Sequence, residues 1–156
     1  MAEGPGAPGR RFAVVAATFN DVVVAKLVDG ATACFRKHGV PEEDVEVFRV
    51  PGAFEIPLAA QRAAASGTYH AVVCLGAVVR GETAHFDHVA GQAAAGIQRV
   101  ALDTGVPVIF GVLATESFEQ AFDRAGGKHG NKGWEAAEAA IEMASLLDRI
   151  PTPEAP

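Results

Sequence analysis

The chain has 156 residues, a hydrophobic content of 49% and a formal net charge of −6 at pH 7. This length and composition predict a single domain with enough apolar side chains for a packed core. The 13 basic residues are scattered along an acidic chain, which excludes a surface built to bind nucleic acid or an anionic membrane. No run is apolar for long enough to cross a bilayer and the N-terminus lacks a leader pattern, so we expect a cytoplasmic protein.

Both ends of the chain are rich in glycine, proline and small residues. We therefore expect flexible tails at residues 1–10 and 151–156, with one folded domain at residues 11–150 between them. Cys34 and Cys74 each lie in an apolar pattern. Such surroundings favour reduced core cysteines over a disulfide or a metal pair.

The first half of the domain predicts two strand–helix units. The apolar run Phe12 to Ala17 is typical of a strand buried on both faces, and Asn20 is a suitable cap for a helix at residues 21–38. Val45 to Val50 predicts a second strand. The following turn, Pro51 to Pro57, leads into an alanine-rich helix that ends near Gly67.

A third unit holds the densest polar chemistry. Ala71 to Leu75 predicts a strand, Gly76 to His88 a polar turn, and the alanine-rich residues up to Gly105 a helix. Thr83 is a suitable N-cap for a helix that opens at residue 84, which would leave backbone N–H groups free to bind an anion beside His85. The alternative is an ordinary capped junction whose histidines are solvated.

The last third of the domain predicts a fourth strand at Val106 to Leu113. Thr115 would cap a short helix that ends at Arg124, a glycine-rich loop would follow at residues 126–133, and Trp134 to Ile150 would form the last helix. Strands that alternate with helices at this spacing predict a parallel sheet covered by helices on both faces.

Ligands of open parallel sheets bind beyond the carboxyl ends of the strands. Three predicted loops meet there: residues 18–20 with Phe19, residues 51–57 with Glu55, and residues 76–88 with His85. We therefore expect one pocket that combines an aromatic ring, a carboxylate, backbone amides and a histidine.

Arg124 and Lys132 flank the glycine-rich loop, at the end of a helix that leads away from this pocket. They would not easily reach the pocket of their own chain. We expect a neighbouring subunit to bring them to the pocket, with the glycines allowing close approach of the backbone. The alternative is a solvated loop without a partner.

Together these segments resemble the lumazine synthase family over residues 11–150. The resemblance is carried by five blocks in order: Phe19-Asn20, Pro51 to Pro57, Gly76 to Asp87, Val106 to Gly111, and Arg124-Ala125-Gly126 followed by Gly130 to Gly133. It implies an α/β, flavodoxin-like, three-layer α/β/α sandwich with a four-stranded parallel sheet. It also implies condensation of 5-amino-6-(D-ribitylamino)uracil with 3,4-dihydroxy-2-butanone 4-phosphate to 6,7-dimethyl-8-ribityllumazine, phosphate and water, without a cofactor.

The resemblance also implies a role for each site residue. His85 would transfer protons, and Phe19 would stack on the pyrimidine. Ala53, Phe54 and Glu55 would line the ribityl chain, and the main chain of Ala77, Val78 and Val79 would contact the pyrimidine edge. Glu82 and Thr83 would bind the phosphate. The neighbouring subunit would supply Arg124 at the same phosphate, together with Lys132 and Phe110. For Phe110 the alternative is simple core packing within its strand.

Glu82 has an unexpected charge for its implied role, and two other positions, Gly127 and His88, depart from the family pattern. Glu82 places a negative side chain at the expected phosphate site, so we expect its backbone N–H to bind while its carboxylate points outward. Gly127 stands where threonine is common. His88 stands where an aromatic residue is frequent and creates the series Glu82-x-x-His85-x-x-His88. This spacing could hold a metal, with Asp87 nearby, but an i, i+3 pair without a clear third ligand in helical register is more often coincidence, and we expect no metal.

The family resemblance implies a homo-oligomer built from pentamers. The short loop at residues 126–133 is similar to that of the icosahedral members, so we expect sixty chains, with a pentamer or decamer as the alternative. Some such shells enclose riboflavin synthase. Besides an enzyme, two other functions fit a flavodoxin-like domain: a binding module that holds a flavin or phosphorylated ligand without turnover, and a shell protein.

Overall fold

The computed structural model describes residues 9–81 and 85–153. Within them the chain forms the following strands and α-helices: β1 Phe12–Ala17, α1 Asp21–Lys37, β2 Val45–Val50, α2 Ile56–Ala65, β3 Ala71–Val79, α3 Phe86–Thr104, β4 Val108–Thr115, α4 Phe118–Asp123, β5 Ala125–Gly127, β6 Gly130–Asn131 and α5 Lys132–Arg149. Short 3-10 turns precede β2 and α2, at Glu42–Asp44 and Ala53–Glu55.

The central sheet has four strands in the order β2-β1-β3-β4, and every pair is parallel. β1 and β3 are buried along their whole length, which explains why the sequence of each is a continuous apolar run. β2 and β4 form the two edges and leave more of their side chains exposed. The predicted α/β fold with a four-stranded parallel sheet is therefore confirmed.

Two hydrophobic cores cover the two faces of the sheet. On one face, alternate residues of β1 and β3 pack against α1, α4 and α5. On the other face, the intervening residues pack against α2 and α3. This alternation follows from the two-residue period of a strand, and it produces the three-layer α/β/α sandwich that the family resemblance implied.

The two buried cysteines belong to different cores, and both are free. Burial raises the pKa of the Cys34 thiol to about 11 and also raises the pKa of the Cys74 thiol. Both thiols therefore stay protonated at neutral pH and act as small apolar side chains. The prediction that both cysteines lie in the apolar core is confirmed.

The bounds of two strands differ from the prediction. β3 continues through Gly76 to Val79, and β4 starts two residues later than predicted and ends at Thr115. The extension of β3 pairs with the end of β4, from Gly76 opposite Val112 to Val79 opposite Thr115. Gly76 is therefore a strand residue rather than the start of a turn. A Cβ atom there would lie 3.3 Å from Ile56 Cδ1, so the glycine permits close packing of α2 on the sheet.

Two predicted helix caps are wrong. Thr115 ends β4, and its hydroxyl donates to the carbonyl of Ser117, while the Ser117 hydroxyl caps α4 by accepting from Gln120 N at 3.2 Å. Asn20 precedes α1 but makes no side-chain cap hydrogen bond. The predicted cap Thr83 lies outside the described residues, and the observed α3 begins at Phe86 rather than at residue 84.

The glycine-rich loop contains a two-stranded antiparallel hairpin, β5–β6. Asn131 anchors it in two ways: its Oδ1 accepts from Trp134 N at 3.1 Å as the cap of α5, and its Nδ2 donates to the Lys26 carbonyl at 3.0 Å. The hairpin is thus fixed against the second turn of α1. Among the described residues, no helix is both long and apolar enough to cross a membrane.

Candidate active site

A groove of about 380 Å³ opens at the carboxyl edge of the sheet, beyond the end of β1. Its lining comes from the β1–α1 turn, the β2–α2 turn, the end of β3 and the start of α3: Phe19, Pro51, Gly52, Ala53, Phe54, Glu55, Ala77, Val78, Val79 and Val89. The structure thus brings together seven of the predicted site residues, Phe19, 53–55 and 77–79. They meet because parallel strands end at a common edge.

Two phenylalanines at this groove are unusually exposed. Phe19 is 56% exposed and Phe54 is 59% exposed, although both are large apolar side chains. The Phe19 backbone is held in place, since its N–H donates to the Pro51 carbonyl at 2.9 Å and Thr18 N donates to the Val50 carbonyl at 2.6 Å. A rigid backbone that presents an exposed ring is suited to stacking on a planar ligand.

Asn20 fixes the same turn from the other side. It has a left-handed backbone with φ 66°, a conformation that asparagine tolerates better than most residues, and its Nδ2 donates to the Ala77 carbonyl at 2.8 Å. The side chain therefore crosses to β3 instead of capping α1. The two turns and β3 are joined before any ligand binds, so the groove is largely preorganised.

The end of β3 presents main-chain groups to the groove. β1 pairs with β3 only as far as Leu75, so one side of the segment from Gly76 to Val79 extends beyond β1. Arg80 N donates to the Thr115 carbonyl of β4 at 2.8 Å. Because successive residues of a strand direct their N–H and C=O groups to opposite neighbours, those of Val79 point away from β4, toward the groove. This geometry suits recognition of a polar ring edge by the main chain.

Glu55 supplies the carboxylate of the groove. It ends the 3-10 turn, where its N–H donates to the Gly52 carbonyl at 3.1 Å. Its side chain folds back over Gly52, since a Cβ atom added there would lie 3.1 Å from Glu55 Oε1. An exposed carboxylate in this position can accept hydrogen bonds from several hydroxyl groups.

His85 lies at the N-cap position of α3 and is exposed. Its carbonyl accepts from Val89 N at 2.9 Å, which ties it to a residue of the groove lining. The His85 and His88 rings lie with their centroids 6.4 Å apart and tilted by 56°. Glu82 and Thr83, which complete the predicted anion site, lie outside the described residues. Within the described part of the chain, no three His, Cys, Asp or Glu side chains cluster as a metal site would require.

Arg124, Lys132 and Phe110 do not line the groove of their own chain. Arg124 is exposed at the end of α4, and its carbonyl accepts from Lys132 N at 2.8 Å, so the two cations are joined through the backbone. Phe110 lies on the edge strand β4 opposite Cys74 and is 40% exposed. Its alternative interpretation as simple core packing is therefore wrong for the isolated chain.

Three groove residues were not assigned a role from the sequence: Pro51, Gly52 and Val89. Pro51 and Gly52 belong to the block Pro51 to Pro57 and precede Ala53 directly. Their position next to Ala53 was the signal in the sequence that could have identified them. Val89 follows His85 by four residues, which places the two on one face of the start of α3.

The matched family model agrees with this geometry. A model described as 6,7-dimethyl-8-ribityllumazine synthase matches residues 9–148, which covers every strand of the sheet and every residue of the groove lining. The match extends over most of the chain. The chain therefore belongs to the 6,7-dimethyl-8-ribityllumazine synthase family, a family of transferases in riboflavin biosynthesis.

Proposed function

We propose that this protein condenses 5-amino-6-(D-ribitylamino)uracil with 3,4-dihydroxy-2-butanone 4-phosphate to give 6,7-dimethyl-8-ribityllumazine, phosphate and water. The observation that carries the proposal is the convergence, in one groove, of the exposed Phe19 ring, the Glu55 carboxylate and the open side of β3. These groups match the three parts of a ribitylaminouracil: a planar ring, a polyhydroxyl chain and a polar ring edge.

The uracil substrate is assigned to the groove of a single chain. Phe19 stacks on the pyrimidine, and the segment Ala77, Val78 and Val79 lies along its polar edge, with the hydrogen bonds made by main-chain groups of Ala77 and Val79 that point away from β4. Ala53 and Phe54 contact the ribityl chain. Glu55 accepts hydrogen bonds from its hydroxyls, and bonds to a charged acceptor are stronger than those between neutral groups.

The phosphate substrate is assigned to Glu82 and Thr83, which precede α3 in the sequence, with Arg124 from an adjacent subunit. An arginine can hold a phosphate through two parallel hydrogen bonds, and a helix N-terminus adds backbone donors. Lys132 from the same neighbour adds a second positive charge. Phe110 of that neighbour contacts the pyrimidine from the other side. In support, Arg124 and Lys132 are joined through the backbone, and Phe110 is partly exposed.

His85 is the proposed proton-transfer residue. The uracil 5-amine and the ketone form a Schiff base, phosphate leaves, and ring closure and dehydration follow. Each of these steps moves a proton, and an imidazole can take and return protons near neutral pH, which is worth about 10²–10⁴-fold in rate. Holding the two substrates in register contributes much of the remaining acceleration.

This division of the site implies a homo-oligomer in which each pocket uses two chains. We propose an assembly of pentamers, with sixty chains favoured over a pentamer or decamer because the β5–β6 hairpin is short. A closed shell of this kind can enclose riboflavin synthase. Sedimentation velocity distinguishes these assemblies by size, and a stable, active monomer would exclude the shared site.

The activity test mixes the purified protein with both substrates and follows lumazine absorbance, with each substrate omitted in turn as a control. Product formation above the uncatalysed rate supports the proposal. Binding of the uracil substrate without product would instead identify a non-catalytic module that holds a flavin-like or phosphorylated ligand.

We expect His85→Ala to slow turnover by about 10²-fold without abolishing it, because proton transfer is one contribution and substrate positioning is another. The matched control is His70→Ala, an exposed histidine at the amino edge of the sheet that accepts from Arg11 N through Nδ1. This variant should retain full turnover. Complete loss of turnover in a folded His85→Ala protein would show that acid–base chemistry dominates over positioning.

A further inference from the structure

Arg80 lies directly after β3, and its side chain joins two segments that are distant in sequence. Arg80 Nε lies 3.0 Å from both carboxylate oxygens of Glu116, which follows β4. Arg80 Nη2 lies 3.4 Å from Asp87 Oδ1, in the first turn of α3. One guanidinium thus connects the end of the sheet to the start of α3.

Two further contacts hold Arg80, one through its guanidinium and one through its backbone. Its central carbon lies 4.4 Å from the centroid of the buried Phe86 ring, within the range of a cation–π contact. The Arg80 backbone N–H donates to the Thr115 carbonyl. Glu116 is itself held, since its backbone N–H donates to Gln120 Oε1 at 2.9 Å. The hydrogen bond and charge of Glu116 raise the pKa of Arg80 above its ordinary value, so the group stays charged.

The contacts of Arg80 distinguish it from Arg124. Arg80 faces two carboxylates, which neutralise its charge locally, whereas Arg124 has no ion pair among the described residues. A cation already paired with two carboxylates is poorly suited to clamp a phosphate. Its planar group is well suited to hold structural elements in one arrangement.

We infer that Arg80 is a positioning residue that fixes the first turn of α3, and with it His85, relative to the sheet. The inference rests on the proposed function, because it assigns Arg80 to the same reaction. The link to His85 is short: Asp87 and Phe86 follow it directly, and the His85 carbonyl accepts from Val89 N. A small displacement of a reacting group can cost up to about 10²-fold in rate.

The kinetic test compares Arg80→Ala with the unchanged protein. Turnover should fall about 10-fold or more, while KM for the uracil substrate changes by less than about twofold, because the groove lining does not include Arg80. Arg80→Lys should recover only part of the loss, since a point charge does not reproduce the planar contacts to both carboxylates and the ring. A rise in KM for the phosphate substrate at constant turnover would overturn the inference and make Arg80 a phosphate ligand.

A double-mutant cycle separates positioning from a general loss of structure. If Arg80 acts through His85, Arg80→Ala should have almost no further effect on turnover in a His85→Ala background. Full additivity of the two losses would overturn the inference. The matched control is Arg99→Ala, which removes an exposed arginine of α3 that pairs with Asp103 at 3.3 Å and should leave turnover unchanged.

Hydrogen exchange gives a readout that does not depend on activity. Arg80→Ala should accelerate exchange in the first turns of α3, including the Val89 amide, and leave exchange in α5 unchanged. Unchanged protection at α3 would overturn the inference even if the protein is active. If the unchanged protein forms no lumazine but Arg80→Ala still accelerates exchange at α3, the proposed reaction is contradicted while the mechanical role of Arg80 is supported.

Discussion

At the scale of single residues, the groove combines a fixed backbone with exposed aromatic rings. Large apolar side chains that stay in water forgo the stabilisation of burial, and a ligand that covers them recovers it. Phe19 is held by backbone hydrogen bonds to the β2–α2 turn, so little ordering remains to be done when a ring stacks on it. The Phe19 side chain should therefore contribute to binding and very little to folding.

Phe19→Ala tests this separation. We expect the affinity for 5-amino-6-(D-ribitylamino)uracil to fall about 10-fold, because a stacking contact and the burial of the ring are both lost. The free energy of unfolding should change by less than about 0.5 kcal/mol, since the side chain is mainly solvated. Calorimetric titration and guanidinium unfolding provide the two measurements.

The matched control for Phe19 is Phe48→Ala, which removes a partly exposed ring that packs edge-on against Tyr69 outside the groove. Phe48→Ala should leave the uracil affinity unchanged. If Phe19→Ala binds the uracil substrate as tightly as the unchanged protein does, the stacking role of Phe19 is contradicted.

The role of a site residue could be predicted where it depends only on the type of residue and on its position just after a strand. The ring of Phe19, the carboxylate of Glu55 and the main chain after Gly76 were all predicted at one edge, and all line the groove. Asn20 was assigned wrongly because its choice between capping α1 and donating to Ala77 depends on a contact between segments 57 residues apart. Local sequence carries no signal for that choice.

At the scale of elements, the start of α5 is fitted closely to α1. A Cβ atom at Gly133 would lie 1.9 Å from the Leu27 carbonyl oxygen, a separation that requires the backbone to move. Gly30 of α1 meets the Asn131 side chain in a similar way. The two glycines let the β5–β6 hairpin and α5 approach α1, and this approach fixes where Arg124 and Lys132 are presented.

Gly133→Ala should therefore destabilise the protein. Overpacking costs about 1–3 kcal/mol or more, which exceeds the gain of about 1 kcal/mol from the better helix propensity of alanine. The measurement is guanidinium unfolding at a fixed protein concentration, because assembly couples stability to concentration.

The matched control for Gly133 is Gly91→Ala in α3, where a Cβ atom would meet nothing within 4 Å. It should stabilise the protein by about 0.5–1 kcal/mol. An unfolding midpoint for Gly133→Ala equal to that of the unchanged protein would contradict the close fit of α5 on α1.

Element types were predicted better than element ends. In the described part of the chain, all four parallel strands and all five α-helices match predicted elements, but the predicted β3 ended too early because Gly76 was interpreted as a turn. In the structure this glycine allows Ile56 to approach the sheet. Glycines that permit close packing and glycines that form turns look alike in sequence, and only the neighbouring element distinguishes them.

At the scale of the whole molecule, the proposed function makes the site of one chain half of a reaction chamber. The groove and His85 lie beyond the carboxyl edge of the sheet, while Arg124 and Lys132 flank the hairpin that packs on α1. In a closed ring with heterologous contacts, the same two surfaces meet at every interface. The groove of each chain can therefore face one neighbour while its Arg124 and Lys132 reach the groove of the other neighbour. The proposed assembly and the proposed chemistry therefore depend on each other.

Hybrid oligomers test this dependence directly. Co-expression of His85→Ala chains with Arg124→Ala chains, followed by selection of oligomers that contain both, should restore activity relative to either variant alone. A chamber is intact when its groove comes from an Arg124→Ala chain and its arginine from a His85→Ala chain, so about a quarter of the chambers in a random mixture should be complete.

The matched control for the hybrid is co-expression of His85→Ala with Phe19→Ala. Both changes fall in the half of the chamber that a single chain supplies, so every groove lacks either the histidine or the ring, and the hybrid should show no more than the mean activity of its two parents. Recovery in the first hybrid but not in the second requires two chains per chamber. If neither hybrid exceeds the mean activity of its parents, Arg124 acts within its own chain or not at all, and the shared chamber is excluded.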